Sequence, residues 1–85
     1  MSRTRISRKE ALAWIAETFS EQPETLDEGT RRERIPAWDS LGVLALMAGL
    51  DEKFDIRISE KEIGALNSVG DILEVLKRHD ALAPD

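Results

Sequence analysis

The chain has 85 residues, of which 41% are hydrophobic and 34% charged, which is room for a single domain, residues 1–85, with an economical core. Its net charge of −5 disfavours nucleic acid and suits basic protein surfaces, and the absence of cysteine excludes disulfides and thiolate zinc sites. No apolar run approaches the ~20 residues of a membrane span, and the opening "MSRTRISRKE" has no apolar segment to make it a secretory signal, so a reducing, cytoplasmic setting is expected.

Two basic clusters punctuate the first half: Arg3, Arg5, Arg8 and Lys9, then Arg31, Arg32 and Arg34. They read as solvated surface, with a nucleic-acid arm as the minor alternative. The first predicted helix starts at "SRKE", where Ser7 and Glu10 have capping-box spacing. Leu12, Ile15 and Phe19 then build an apolar stripe, with Trp14 off it as a core-edge residue. Residues 20–38 form a connection that holds Pro23, Gly29 and Pro36 and shows no sustained period. A loop of that length inside a small domain normally has a task. Leu26, Ile35 and Trp38 are its large apolar residues, expected to pin it to the bundle.

The second helix is predicted from Asp39 to about Asp55, with Asp39 as N-cap and Trp38 and Val43 at the two positions of a hydrophobic staple. At about 100° per residue, Val43, Leu46, Met47, Leu50 and Phe54 share one sector, the expected core face. Leu41, Leu44 and Ala48 fall on nearly the opposite side, with Ala45 beside them, and give way to Asp51, Glu52 and Asp55. An apolar spot edged by acids reads as a docking surface, the bland alternative being scattered surface leucines. A short third helix opens at the capping-box sequence "SEKE" from Ser59 and ends near Leu66. The fourth starts at Ser68, where "SVGD" is an acidic variant of the cap, and Val69, Ile72, Leu73 and Leu76 form its apolar face. The only near-strand, "FDIRIS", is too short to stand alone. The expectation is all-α: a small four-helix bundle of three longer helices and a short third one, with a long loop between the first two.

Ser40 lies at the mouth of the most hydrophobic segment, on the first turn of the second helix. Helix starts present outward-pointing amides that favour a phosphate, and Gly42 is expected to leave room for a group attached there. A hydrolase is not indicated, because the single histidine, His79, lies near the end of the last helix and no Gly-x-Ser-x-Gly elbow exists.

"WDSLGVLALMAGLDEKFDIRISEKEIGALNSVGDILEVLKRH" resembles the acyl carrier protein family, small four-helix bundles with an Asp-Ser-Leu motif at the start of helix two. The resemblance extends over residues 8–79. It implies that a phosphopantetheinyl transferase attaches 4′-phosphopantetheine to Ser40 as a phosphodiester. Asp39, Leu41 and Gly42 are then its motif neighbours, and the arm's thiol carries an acyl or aminoacyl thioester. It further implies an acyl- or aminoacyl-loading ligase and downstream transferases or synthases as partners, with Leu41 as a contact; the helical period adds Leu44 and Ala48 to that docking surface. Asp51, Glu52, Asp55, Glu60 and Glu62 would form an acidic rim there, although the two last suit helix caps or plain surface equally. Fatty-acid carriers have a Val-Glu-Leu triplet where this chain has Leu44-Ala45-Leu46, and "WDSLG" is similar to carriers of specialised pathways and of amino acids.

Such a carrier is a monomer, not an enzyme, with no metal and no nucleic-acid partner. Val43, Leu46, Met47, Leu50, Ile58, Ile63 and Leu66 would line either a cleft for an acyl chain or, for short or polar cargo, a filled core. Two other classes compete: an unmodified protein-interaction module with the same fold, and a small helical DNA-binding protein. The acidic balance and the lack of a basic recognition helix oppose the last.

Overall fold

Helices form where caps and apolar periods coincide. The structure, a computed structural model, describes residues 5–83 and contains α1 (Arg8–Thr18), α2 (Ser40–Phe54), α3 (Glu60–Gly64) and α4 (Val69–Arg78). Arg3 of the first basic cluster lies outside the described residues. The capping box predicted for α1 is present: Ser7 Oγ accepts from the Glu10 amide at 3.1 Å, and the Glu10 carboxylate accepts from the Ser7 amide at 2.9 Å. That backbone bond, more than the hydroxyl, holds the Glu10 carboxyl below its usual pKa of 4.5. Ser59 and Glu62 repeat the box at α3, which stops at Gly64, short of Leu66. At α4 the variation is informative. Ser68 Oγ caps the Asp71 amide, while the Asp71 carboxylate accepts instead from the Asn67 amide at 2.8 Å.

Three helices end on a residue at positive φ that is not glycine: Ser20, Asp55 and Asp80. Short polar side chains tolerate this conformation better than branched ones do. In each case the following amide returns to a carbonyl of the last turn: Glu21 to Ala16, Ile56 to Leu50, and Ala81 to Leu76, at 2.7–3.0 Å. Ile56 and Ala81 are thereby turned into the core.

The core joins all four helices. Ile15, Ala16 and Phe19 of α1 meet Leu46 and Leu50 of α2, Ile63 of α3, and Val69, Ile72, Val75 and Leu76 of α4. Leu12, expected on the stripe, is only half-buried, because Ala11 and Ala16 let the neighbouring helices approach on the adjacent face. Val43 and Met47 are likewise half-buried rather than core; the buried line of α2 is Gly42, Leu46, Leu50 and Phe54. Trp14 sits at the core edge, edge-on to Phe54 with ring centroids 5.2 Å apart.

The long connection earns its order by capping. It contains two single helical turns, Pro23–Thr25 and Arg32–Arg34, and buries Leu26, Ile35 and Trp38 as expected. Its carbonyls at Thr30 and Glu28 accept from the Val69 and Gly70 amides at 2.8 and 2.9 Å, so the loop satisfies the exposed start of α4. A Cβ on Gly70 would lie 2.8 Å from the Glu28 oxygen, which is why the approach needs glycine. Trp38 then stacks on Phe19 at 5.0 Å and 15°, fastening the loop to the end of α1. Such a pair contributes roughly 0.5–1.5 kcal/mol beyond burial. The buried indole N–H of Trp38 finds no acceptor among the described residues, a cost that burial of the ring and the stack offset together.

The two ends of the described segment meet through a two-bond parallel bridge between Ile6 and Leu82. "FDIRIS" forms no strand: Phe54 closes α2, and Ile56 is buried in an irregular link to α3. Three arginines of the basic clusters pair within the chain, Arg5 with Asp80, Arg8 with Glu28 and Arg31 with Glu33, as ordinary surface pairs do.

Candidate functional site

Ser40 is the first residue of α2 and is exposed. Its position is set by Asp39, whose carboxylate accepts from the Gly42 amide at 3.0 Å while its carbonyl accepts from Val43 at 2.8 Å. The cap therefore uses one first-turn amide and leaves those of Ser40 and Leu41 without an acceptor among the described residues. Asp39→Ala is expected to lower stability by roughly 0.5–2 kcal/mol, the range for a lost N-cap. An unchanged denaturation midpoint would show that the carboxylate does not hold this turn.

Two shallow grooves flank the start of α2. One, of about 310 Å³, is lined by Ser40, Val43, Leu44 and Met47 of α2, by Arg32 of the long loop and by Glu60 of α3. The other, of about 280 Å³, is lined by Asp39, Leu41, Gly42 and Ala45 with Thr18 and Ala37. Between them stand Leu41 and Leu44, 76% and 58% exposed, the large hydrophobic side chains that the fold leaves in water. Ala48 is exposed farther along the same helix.

Gly42 does something other than the sequence implies. It is buried, and a Cβ there would lie 1.9 Å from the Ala37 carbonyl oxygen and 3.1 Å from the Phe19 ring. The missing side chain admits the loop backbone onto α2 rather than clearing space beside Ser40. The acids are also sorted by the fold. Glu62 is committed to the α3 capping box, and Asp51 accepts from Arg57 at 3.3 Å. Glu52 and Asp55 are exposed, and Glu60 reaches the Ser40 groove. Asp51 to Asp55 lie 11 to 15 residues beyond Ser40, or about 16–22 Å along the axis. That exceeds the ~8 Å screening length at physiological salt, so these acids exert little direct force on a charge at Ser40.

His79 caps the end of α4 and lines neither groove, so no imidazole stands beside Ser40. Leu46, Leu50, Ile63 and Leu66 are buried; of the residues expected around a cleft, Val43 and Met47 are the ones that reach the Ser40 groove. Arg32, read from the sequence as one of a cluster of solvated arginines, is the residue whose place at this site was missed. It lies eight positions before Ser40, on a separate helical turn, and only the docking of the loop brings it to the groove. Among the described residues no group of three or more His, Cys, Asp or Glu side chains is arranged to hold a metal ion. No helix there is long and apolar enough to cross a membrane.

No family model matches the chain. It is similar to the acyl carrier protein of Clostridium acetobutylicum, at 39% identity over 41 residues, 48% of this chain and 53% of that protein. With the acyl carrier proteins of a Sulfurovum species and of Wolinella succinogenes it shares 30% identity over 63 residues, 74% of this chain. Those matches span 84% and 83% of the two relatives, whereas the chain spans about half the length of the Clostridium one.

Proposed function

The chain belongs to the acyl carrier protein family, and on that footing we propose that it is a carrier, not an enzyme, with 4′-phosphopantetheine on Ser40. The observation that carries this reading is an exposed serine at the first position of a capped helix, with no imidazole beside it. Without an imidazole to activate it, the hydroxyl takes the group from a separate phosphopantetheinyl transferase. The residues present fit the group. Ser40 Oγ supplies the attachment atom, the amides of Ser40 and Leu41 are open to phosphate oxygens, and the adjoining groove is lined by Arg32 and by Val43, Leu44 and Met47. When bound, the arm contributes a terminal thiol that holds an acyl or aminoacyl group as a thioester.

The protein's own part is to orient and to be recognised. Asp39 and the buried Trp38 fix the helix start, so the attachment point stays in solvent. Leu41 and Leu44 give the loading ligase and the downstream synthases an apolar contact, while Glu52, Asp55 and Glu60 steer basic surfaces toward it. Encounters of this kind are fast and weak, as a shuttle requires. Ala45 is exposed where a charge-reading partner would look for a carboxylate, which favours a dedicated pathway over housekeeping fatty-acid synthesis. The working compartment on this reading is the cytoplasm, and the working form a monomer.

The test is intact-mass measurement after exposure to an active, broad-specificity phosphopantetheinyl transferase. A rise by one phosphopantetheine supports the carrier reading; an unmodified wild-type chain overturns it in favour of an interaction module. Leu41→Ala and Leu44→Ala are expected to change stability by less than about 0.5 kcal/mol, as exposed positions do. Each should nevertheless reduce the transferase's kcat/KM by roughly tenfold, the effect of about 1.4 kcal/mol of lost docking energy. Wild-type kinetics in both would remove these leucines from the contact surface.

A further inference from the structure

From the groove beside Ser40 we infer that Arg32 is a binding residue for the phosphodiester of the attached arm. This rests on the carrier reading, and it assigns to the long loop a task beyond capping α4.

Arg32 and Ser40 line the same groove, so the arginine borders space that is open to a group attached to the serine oxygen. The side chain is half-buried, whereas Arg31 and Arg34 in the same cluster are exposed. It is also held: its guanidinium carbon lies over the Trp38 ring, 5.4 Å from the centroid, and its backbone amide donates to the Asn67 carbonyl at 2.9 Å. One further bond, to the Leu66 carbonyl, is long at 3.5 Å. Arg5, Arg8, Arg31 and Arg57 each pair with a carboxylate, but among the described residues none lies within pairing distance of Arg32.

A partly desolvated guanidinium, stacked on an aromatic face and lacking an anion, is poised for one. Its planar fork matches two oxygens of a phosphate, and the stack has already removed much of the rotamer freedom that binding would cost. Glu60 is the opposing charge at the groove. It is exposed at the start of α3 and can turn its carboxylate to water, so it does not cancel a half-buried cation across the groove.

The experiment compares 15N-labelled apo and holo wild-type protein, distinguished by intact mass, through the Nε–Hε signals of the arginines. The Arg32 signal is expected to move between the two forms while those of Arg31 and Arg34 stay. In the holo protein the 31P resonance should move on Arg32→Gln and not on Arg31→Gln. An Arg32 signal that is identical in apo and holo protein of proven mass overturns the inference and leaves the carrier reading standing. So does a 31P resonance indifferent to Arg32→Gln. If that variant does not fold, the wild-type comparison decides alone. A wild-type mass that never rises overturns the carrier reading and this inference with it.

Discussion

Ser40→Ala is expected to abolish phosphopantetheine attachment completely while leaving the fold unchanged. The effect on modification is all-or-none because the variant lacks the oxygen that forms the bond to phosphorus. The effect on stability is small because the Ser40 side chain makes no hydrogen bond within the described structure and is exposed. Alanine is also the better helix former, by a few tenths of a kcal/mol. Ser7, Ser59 and Ser68 serve as internal controls, since their hydroxyls accept cap bonds from the Glu10, Glu62 and Asp71 amides. Intact mass and a thermal melt on the same sample read both halves of the prediction. A mass increase in the alanine variant would place the attachment elsewhere, and a collapsed melt would mean the hydroxyl supports the helix start.

Gly42→Ala should be the most damaging single-methyl change near the site. The new Cβ would meet the Ala37 carbonyl oxygen at 1.9 Å, and a backbone atom cannot rotate aside as a side-chain tip can. Either α2 shifts or the Ile35–Trp38 segment lifts off, and lifting it separates Trp38 from Phe19. Overpacking of this kind costs roughly 1–3 kcal/mol, and occasionally more. For a domain whose total stability is on the order of 5–10 kcal/mol, that is a major share. Gly64→Ala is the matched control. Nothing lies within 4 Å of its Cβ position, so that variant should be neutral or gain about 0.4–1 kcal/mol. Chemical denaturation of the two variants side by side reads the difference. A Gly42→Ala midpoint equal to wild type would mean the loop does not press on the helix as described.

The four helix starts were legible because their signals are local. A serine or aspartate at the cap, followed at three of the four by an acid three residues on, needs no knowledge of the rest of the chain. All four cap side chains accept as predicted, although Asp71 turns to the Asn67 amide instead of that of Ser68. The outward side of α2 was legible for a similar reason: a helical period assigns Leu41 and Leu44 to one side whatever packs on the other. The core side was less so. Periodicity placed Val43 and Met47 with Leu46 and Leu50, but a helix in a four-helix bundle is covered over only part of its circumference, and these two fall at the margin.

Sequence alone thus determined the helices, their order and the exposed serine at the head of α2, which depend on neighbours within a turn or two, and hydrophobicity alone marked the pinning residues of the loop. Tertiary structure decided the remainder: that Gly42 is a contact between loop and helix, that Glu62 is spent on a cap, and that Arg32 reaches the groove at Ser40. Each of these depends on where residues 20–38 come to rest. That path is set by carbonyls docking on the start of α4 and by one tryptophan stacking on α1, pairings between distant segments that no local period encodes.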